Sequence, residues 1–82
     1  MSSGGGLGSV PGVPPAFAAC VALHESSNGA GSPNIYGFLP STWSSLGFPG
    51  SPDTASIGTQ KAAFSKLYGM DGTAPWAPYV GC

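Results

Sequence analysis

Charge is what this 82-residue chain has least of. Two lysines stand against three acids, arginine is missing, and the formal net charge is −1. So neutral a chain carries no electrostatic footprint for nucleic acid or for an anionic membrane, and neither is expected as a partner. No apolar run approaches the ~20 residues needed to span a bilayer. The only histidine is His24, and no C-x-x-C or H-x-x-x-H spacing is present, so no metal is expected. The G-x-S-x-G elbow and the P-loop pattern are also missing, and no cofactor is expected. The opening Met1–Gly6 has neither the basic nor the apolar region of a secretory signal.

The length suits one small domain, and aromatics, at 11%, supply core material between Phe17 and Tyr79. Cys20 and Cys82 can make one bridge, tying the last residue to the first helix. Closing so long a loop would contribute roughly 4 kcal/mol in the chain-entropy description. A core this small supplies only a few kcal/mol, so such a staple makes sense, and it implies an oxidising compartment.

In chain order, residues 1–14 read as a flexible Gly/Ser/Pro linker or leader, disordered to about Pro14, and 15–82 as the domain. Pro15 suits the first turn of a helix that should stop near Ser26-Ser27-Asn28-Gly29. Asn34–Leu39 alternates loosely, as a short strand or an extended segment. Pro40 opens a second, short helix that Gly47 is placed to end. A third helix, capped by Asp53 or Ser56, is expected to run to Tyr68, with Ile57, Phe64, Leu67 and Tyr68 on its apolar stripe, Gln60 and Lys61 between them, and Gly69 at its end.

Glu25, the only glutamate, is the residue around which the chemistry gathers. The first helix has an apolar stripe at Phe17, Cys20 and Val21, which His24 and Glu25 continue. An acid turned toward apolar packing is desolvated, and its pKa rises. A carboxyl that holds its proton near neutral pH can serve as a general acid. The competing description is a solvated glutamate at a fraying helix end. Close by in sequence lie Tyr36, Phe38, Thr42 and Trp43, aromatic faces and hydroxyls of the kind that line sugar clefts. The same aromatics would serve equally as core.

The segments Glu25-Ser26-Ser27-Asn28-Gly29, Tyr36-Gly37-Phe38 and Leu39-Pro40-Ser41-Thr42-Trp43 resemble the transglycosylase-like domain of resuscitation-promoting factors and related lysozyme-superfamily proteins. That family's pattern is E-S-G-G, then a Gly- and Tyr-containing stretch ending in Q-F or Q-I, then T-W. A helix of the form A-S-x-x-x-Q-x-x-A follows, here Ala55 to Ala63, and a closing Gly, Trp and Cys are matched by Gly72, Trp76 and Cys82. The likeness runs from about Phe17 to Cys82. It departs in three places: the family's glutamine position holds Gly37, the loop after Glu25 is shorter, and Cys20 lies five residues before the glutamate rather than beside it.

The resemblance implies a mainly α, small single-domain lysozyme-like fold with three short helices and one disulfide. It implies cleavage of peptidoglycan's glycan strand between muramic acid and glucosamine units. Glu25 falls on the catalytic glutamate, and Tyr36, Phe38, Thr42, Trp43 and Gln60 are the expected substrate-binding set. With one good acid, a lytic transglycosylase fits better than a hydrolase, which needs a second carboxylate from Asp53 or Asp71. A non-catalytic glycan-binding module, or a structural segment of a larger envelope or virion protein, is the alternative. The expected setting is a monomeric domain of a longer multidomain protein, secreted or cell-wall associated, or virion-associated if phage-encoded.

Overall fold

A computed structural model describes residues 8–27 and 29–76. Its described residues are mainly helical, with three helices and no strand: α1 (Pro15–Ser26), α2 (Pro40–Ser45) and α3 (Ile57–Asp71). Pro15 and Pro40 each occupy the first turn of their helix, where a missing N–H costs no intrahelical bond. Ser56 caps α3, its hydroxyl accepting from the Thr59 N–H at 3.2 Å. Such a cap is worth about 1 kcal/mol. α1 ends where Ser27 takes a left-handed φ of 52° and its N–H donates to the Leu23 carbonyl at 2.9 Å.

The core is aromatic. Trp76 stacks on Phe64 with centroids 4.2 Å apart, and Tyr36 meets Phe64 edge-on at 4.7 Å. Phe17 joins from α1, at 6.1 Å from Phe64 and 5.9 Å from Trp76. Phe38, Trp43 and Phe48 extend the cluster under α2. Edge-to-face pairs of this kind add about 0.5–1.5 kcal/mol each beyond the area they bury.

Several elements differ from the sequence expectation. Residues 8–14 do not behave as a leader: Val10 and Val13 are buried in the core, and the Ser65 hydroxyl on α3 donates to the Pro11 carbonyl at 2.6 Å. Two valines spaced to reach one apolar surface outweigh the glycine and proline around them. The buried face of α1 is Phe17, Ala18, Val21, Ala22 and Ser26, so the stripe runs through Ala18 and Ala22, and His24 is exposed. In α3, Ile57 is exposed and the helix continues through Gly69 to Asp71, with Gly72 at φ 63° beyond it. A helical glycine costs about 1 kcal/mol relative to alanine; packing of Phe64 and Leu67, both buried, carries the helix across it. Of the two forms expected for residues 34–39, the strand is not made: the segment is a turn and an irregular stretch that ends extended at Leu39. Cys20 is no free thiol; its expected partner, Cys82, and the tail after Trp76 lie outside the described residues.

Candidate active site

The turn at residues 34–38 is the piece of backbone that builds the site, and side chains fix it from three directions. Asn34 closes it from within: its Nδ2 donates to the Phe38 carbonyl at 2.7 Å, and its Oδ1 accepts from the Phe38 N–H at 3.0 Å. Gln60 reaches up from α3, where its Oε1 accepts from the Ile35 N–H at 2.8 Å and its Nε2 donates to the Pro33 carbonyl at 2.9 Å and the Ala55 carbonyl at 3.1 Å. Trp76 Nε1 donates to the Tyr36 carbonyl at 3.0 Å. A loop whose backbone groups are satisfied by buried side chains has little freedom to shift.

Across from this turn is the end of α1. Ser26, buried, donates its hydroxyl to the Ala22 carbonyl at 3.0 Å and accepts from the Gly29 N–H at 2.9 Å. The Ser26 carbonyl accepts from the Gly31 N–H at 2.9 Å. These bonds anchor the last turn of α1, and with it the neighbouring Glu25. Glu25 is half-buried and lies directly against Gly37.

Between them is a cleft of about 290 Å³ lined by Glu25, Gly37, Phe38, Leu39, Thr42, Leu67, Pro75 and Trp76. Leu39 is 65% exposed at its rim. Among these lining residues Glu25 is the one ionisable group. Burial pushes its carboxyl above the ordinary glutamate value, and desolvation is the cause. No hydrogen bond to the Glu25 carboxyl is found among the described residues. The nearest lysine on α3 to Leu67, Lys66, is committed elsewhere: its Nζ donates to the Leu46 carbonyl at 2.8 Å.

The expected binding set divides. Thr42 lines the cleft with Glu25, and Phe38, a core residue 4% exposed, contributes an edge to its wall. Tyr36 and Trp43 are fully buried, at 0% exposure each, and belong to the core. Burial also pushes the Tyr36 phenol up to about 12. Trp43 spends its indole N–H on the Pro49 carbonyl at 3.1 Å. Gln60, 1% exposed, is the brace described above and does not reach the cleft. Asp53 and Asp71 are both exposed and lie outside the cleft lining. Leu39, Leu67, Pro75 and Trp76 are lining residues that the sequence reading did not single out for the site. Leu39 carried a usable signal, an apolar residue just before a helix-opening proline; Trp76 between Pro75 and Pro78 carried another. The chain matches no family model, no curated protein and no solved structure.

Proposed function

We propose that this domain cleaves the glycan strand of peptidoglycan between muramic acid and glucosamine units, with Glu25 as both general acid and general base. The observation that carries the proposal is the composition of the cleft: one desolvated carboxyl on a mostly apolar, partly aromatic surface with the single hydroxyl of Thr42. Pyranose rings have apolar faces, which suit exposed Leu39 and the small open edges of the otherwise buried Phe38 and Trp76, and polar edges, which suit the Thr42 hydroxyl. Protonated Glu25 donates to the glycosidic oxygen as the C–O bond breaks, and the leaving unit departs as an alcohol. The resulting carboxylate then takes the proton of the muramic acid 6-hydroxyl while that oxygen closes onto C1. The product is a 1,6-anhydro ring, no water is consumed, and Glu25 regains its proton. Asp53 and Asp71 are exposed and do not line the cleft, which favours this one-carboxyl chemistry over a hydrolase that pairs two carboxylates across the scissile bond.

The same reading includes a lysozyme-like arrangement of the three helices, a Cys20–Cys82 bridge and a secreted, cell-wall-directed protein. Digestion of purified peptidoglycan with mass-spectrometric detection of anhydro-muramic ends tests it. Reducing muramic ends would identify a hydrolase. Binding without any cleavage, at any pH, would identify a glycan-binding module.

A further inference from the structure

Gly37 stands where the resembled family has a glutamine, and on that likeness alone it is a lost sugar contact. Its geometry says otherwise. A β-carbon built on Gly37 would lie 2.5 Å from Glu25 Cδ and 2.9 Å from Cγ, and closer still to Oε1. Real β-carbons do not approach heavy atoms that closely, so the Glu25 side chain occupies the volume that any other residue would fill. Gly37 also has a φ of +71°, and its N–H donates to the Asn34 carbonyl at 3.2 Å, inside the turn that Asn34 and Gln60 lock. The backbone of that turn cannot readily retreat.

We infer that Gly37 is a positioning residue for Glu25: its bare α-carbon is the seat on which the carboxyl rests, and any side chain there swings the carboxyl out of the cleft. Only the kinetic consequence rests on the function proposed above; the seating itself does not. Glu25 is the end of a flexible side chain, so it yields before the turn does. Displacement moves the carboxyl toward water and removes its desolvation.

A left-handed φ disfavours a side chain at Gly37 whatever lies opposite, so the test needs a matched control. Gly50 supplies it, with the same φ of +71° and only an ordinary contact, 3.8 Å from Thr54 Oγ1. Because the chain has a single glutamate, selective ¹³Cδ-glutamate labelling gives one carboxyl resonance without assignment. In Gly37→Ala its titration midpoint should fall toward that of an exposed glutamate, while Gly50→Ala leaves it at the wild-type position. Peptidoglycan cleavage by Gly37→Ala should drop on the order of 10²-fold, the usual effect of misplacing a reacting group by about 1 Å. A folded Gly37→Ala protein with the wild-type midpoint overturns the inference. Should Gly37→Ala not fold, Glu25→Ala added to it removes the opposing side chain and should restore folding to the level of Gly50→Ala; failure to restore it also overturns the inference. The titration holds its meaning in a protein that cleaves nothing, so loss of the enzymatic reading and loss of the seating are told apart.

Discussion

Two hollows flank the 29–38 segment, and each has, beside one short hydroxyl (Thr42 or Ser56), one long polar side chain of nearly the same shape. In the cleft it is Glu25; in a second depression of about 450 Å³, lined by Gly29, Pro33, Ile35, Ala55, Ser56, Ile57 and Gln60, it is Gln60. Gln60 is buried, and both ends of its amide are occupied by three backbone groups. Glu25 is half-buried, carries a raised pKa from desolvation, and has no hydrogen bond among the described residues. A polar group whose valences are filled by its own chain has been spent on architecture. One left desolvated and unfilled at the edge of an apolar cleft is available to an incoming molecule. The two residue types are the usual candidates for a sugar site, and only their surroundings separate them.

The widest break in that comparison is catalytic. Glu25→Gln gives both hollows an amide, keeps the shape, and removes the proton donor. Peptidoglycan turnover should fall about 10²–10⁴-fold with circular dichroism unchanged. Asp53→Asn and Asp71→Asn should stay near wild type, because neither lines the cleft. A collapse in Asp53→Asn comparable to that in Glu25→Gln would point to a two-carboxylate hydrolase instead.

Gln60→Ala breaks the other half. It removes three hydrogen bonds and leaves the Ile35 N–H buried without its acceptor. An unsatisfied buried group costs about 1–3 kcal/mol in addition to the modest net value of each lost bond. The expected loss is about 3 kcal/mol of unfolding free energy, read as a lower urea midpoint. A wild-type midpoint together with weakened glycan binding would return Gln60 to the substrate-binding set.

What the sequence made readable was local. Pro15, Pro40 and Ser56 mark helix starts by chemistry confined to one turn, and all three stand where expected. Glu25 reaches the margin of the buried face of α1 for a periodic reason that a single helix carries. The misreadings share a different cause, partners distant in sequence. Gln60 meets Pro33 and Ile35, 27 and 25 residues away, and Trp76 meets Tyr36, 40 residues away. No spacing rule distinguishes a glutamine that braces a loop from one that touches a ligand. Val10 and Val13 lay in composition typical of a linker, and only the surface they cover makes them core.

Gly37→Gln sharpens the comparison where sequence likeness and geometry disagree. The resemblance treats a glutamine here as a regained sugar contact, so cleavage should rise. The seat under Glu25 treats it as an intruding side chain, at least as bulky as the alanine of Gly37→Ala, so cleavage should fall by about 10²-fold or more. Steady-state kcat/KM on peptidoglycan, compared with the titration midpoint of the single glutamate, decides between them; a gain in rate would mean that Glu25 has another productive position.

The smallest effect is on stability, and its sign follows from linkage. The Glu25 carboxyl is held above its ordinary value in the folded protein. Between that ordinary value and the raised one, the folded chain binds more protons than the unfolded chain. Unfolding free energy therefore falls as pH rises through this window and is level above it, as far as Glu25 is concerned. Glu25→Gln has no proton to lose and lacks this fall, while Asp53, Asp71 and His24 are common to both proteins and largely cancel in the difference. Thermal melts of the two proteins between about pH 3 and about pH 8 should show the variant gaining on wild type as pH rises, then holding a constant lead relative to its acid-side offset. Gln60 carries no charge and offers no such pH dependence, which makes Gln60→Ala the matched reference: its deficit should be the same at every pH. A Glu25→Gln difference that is equally flat would mean that the carboxyl sits in water, and the cleft would lose its acid.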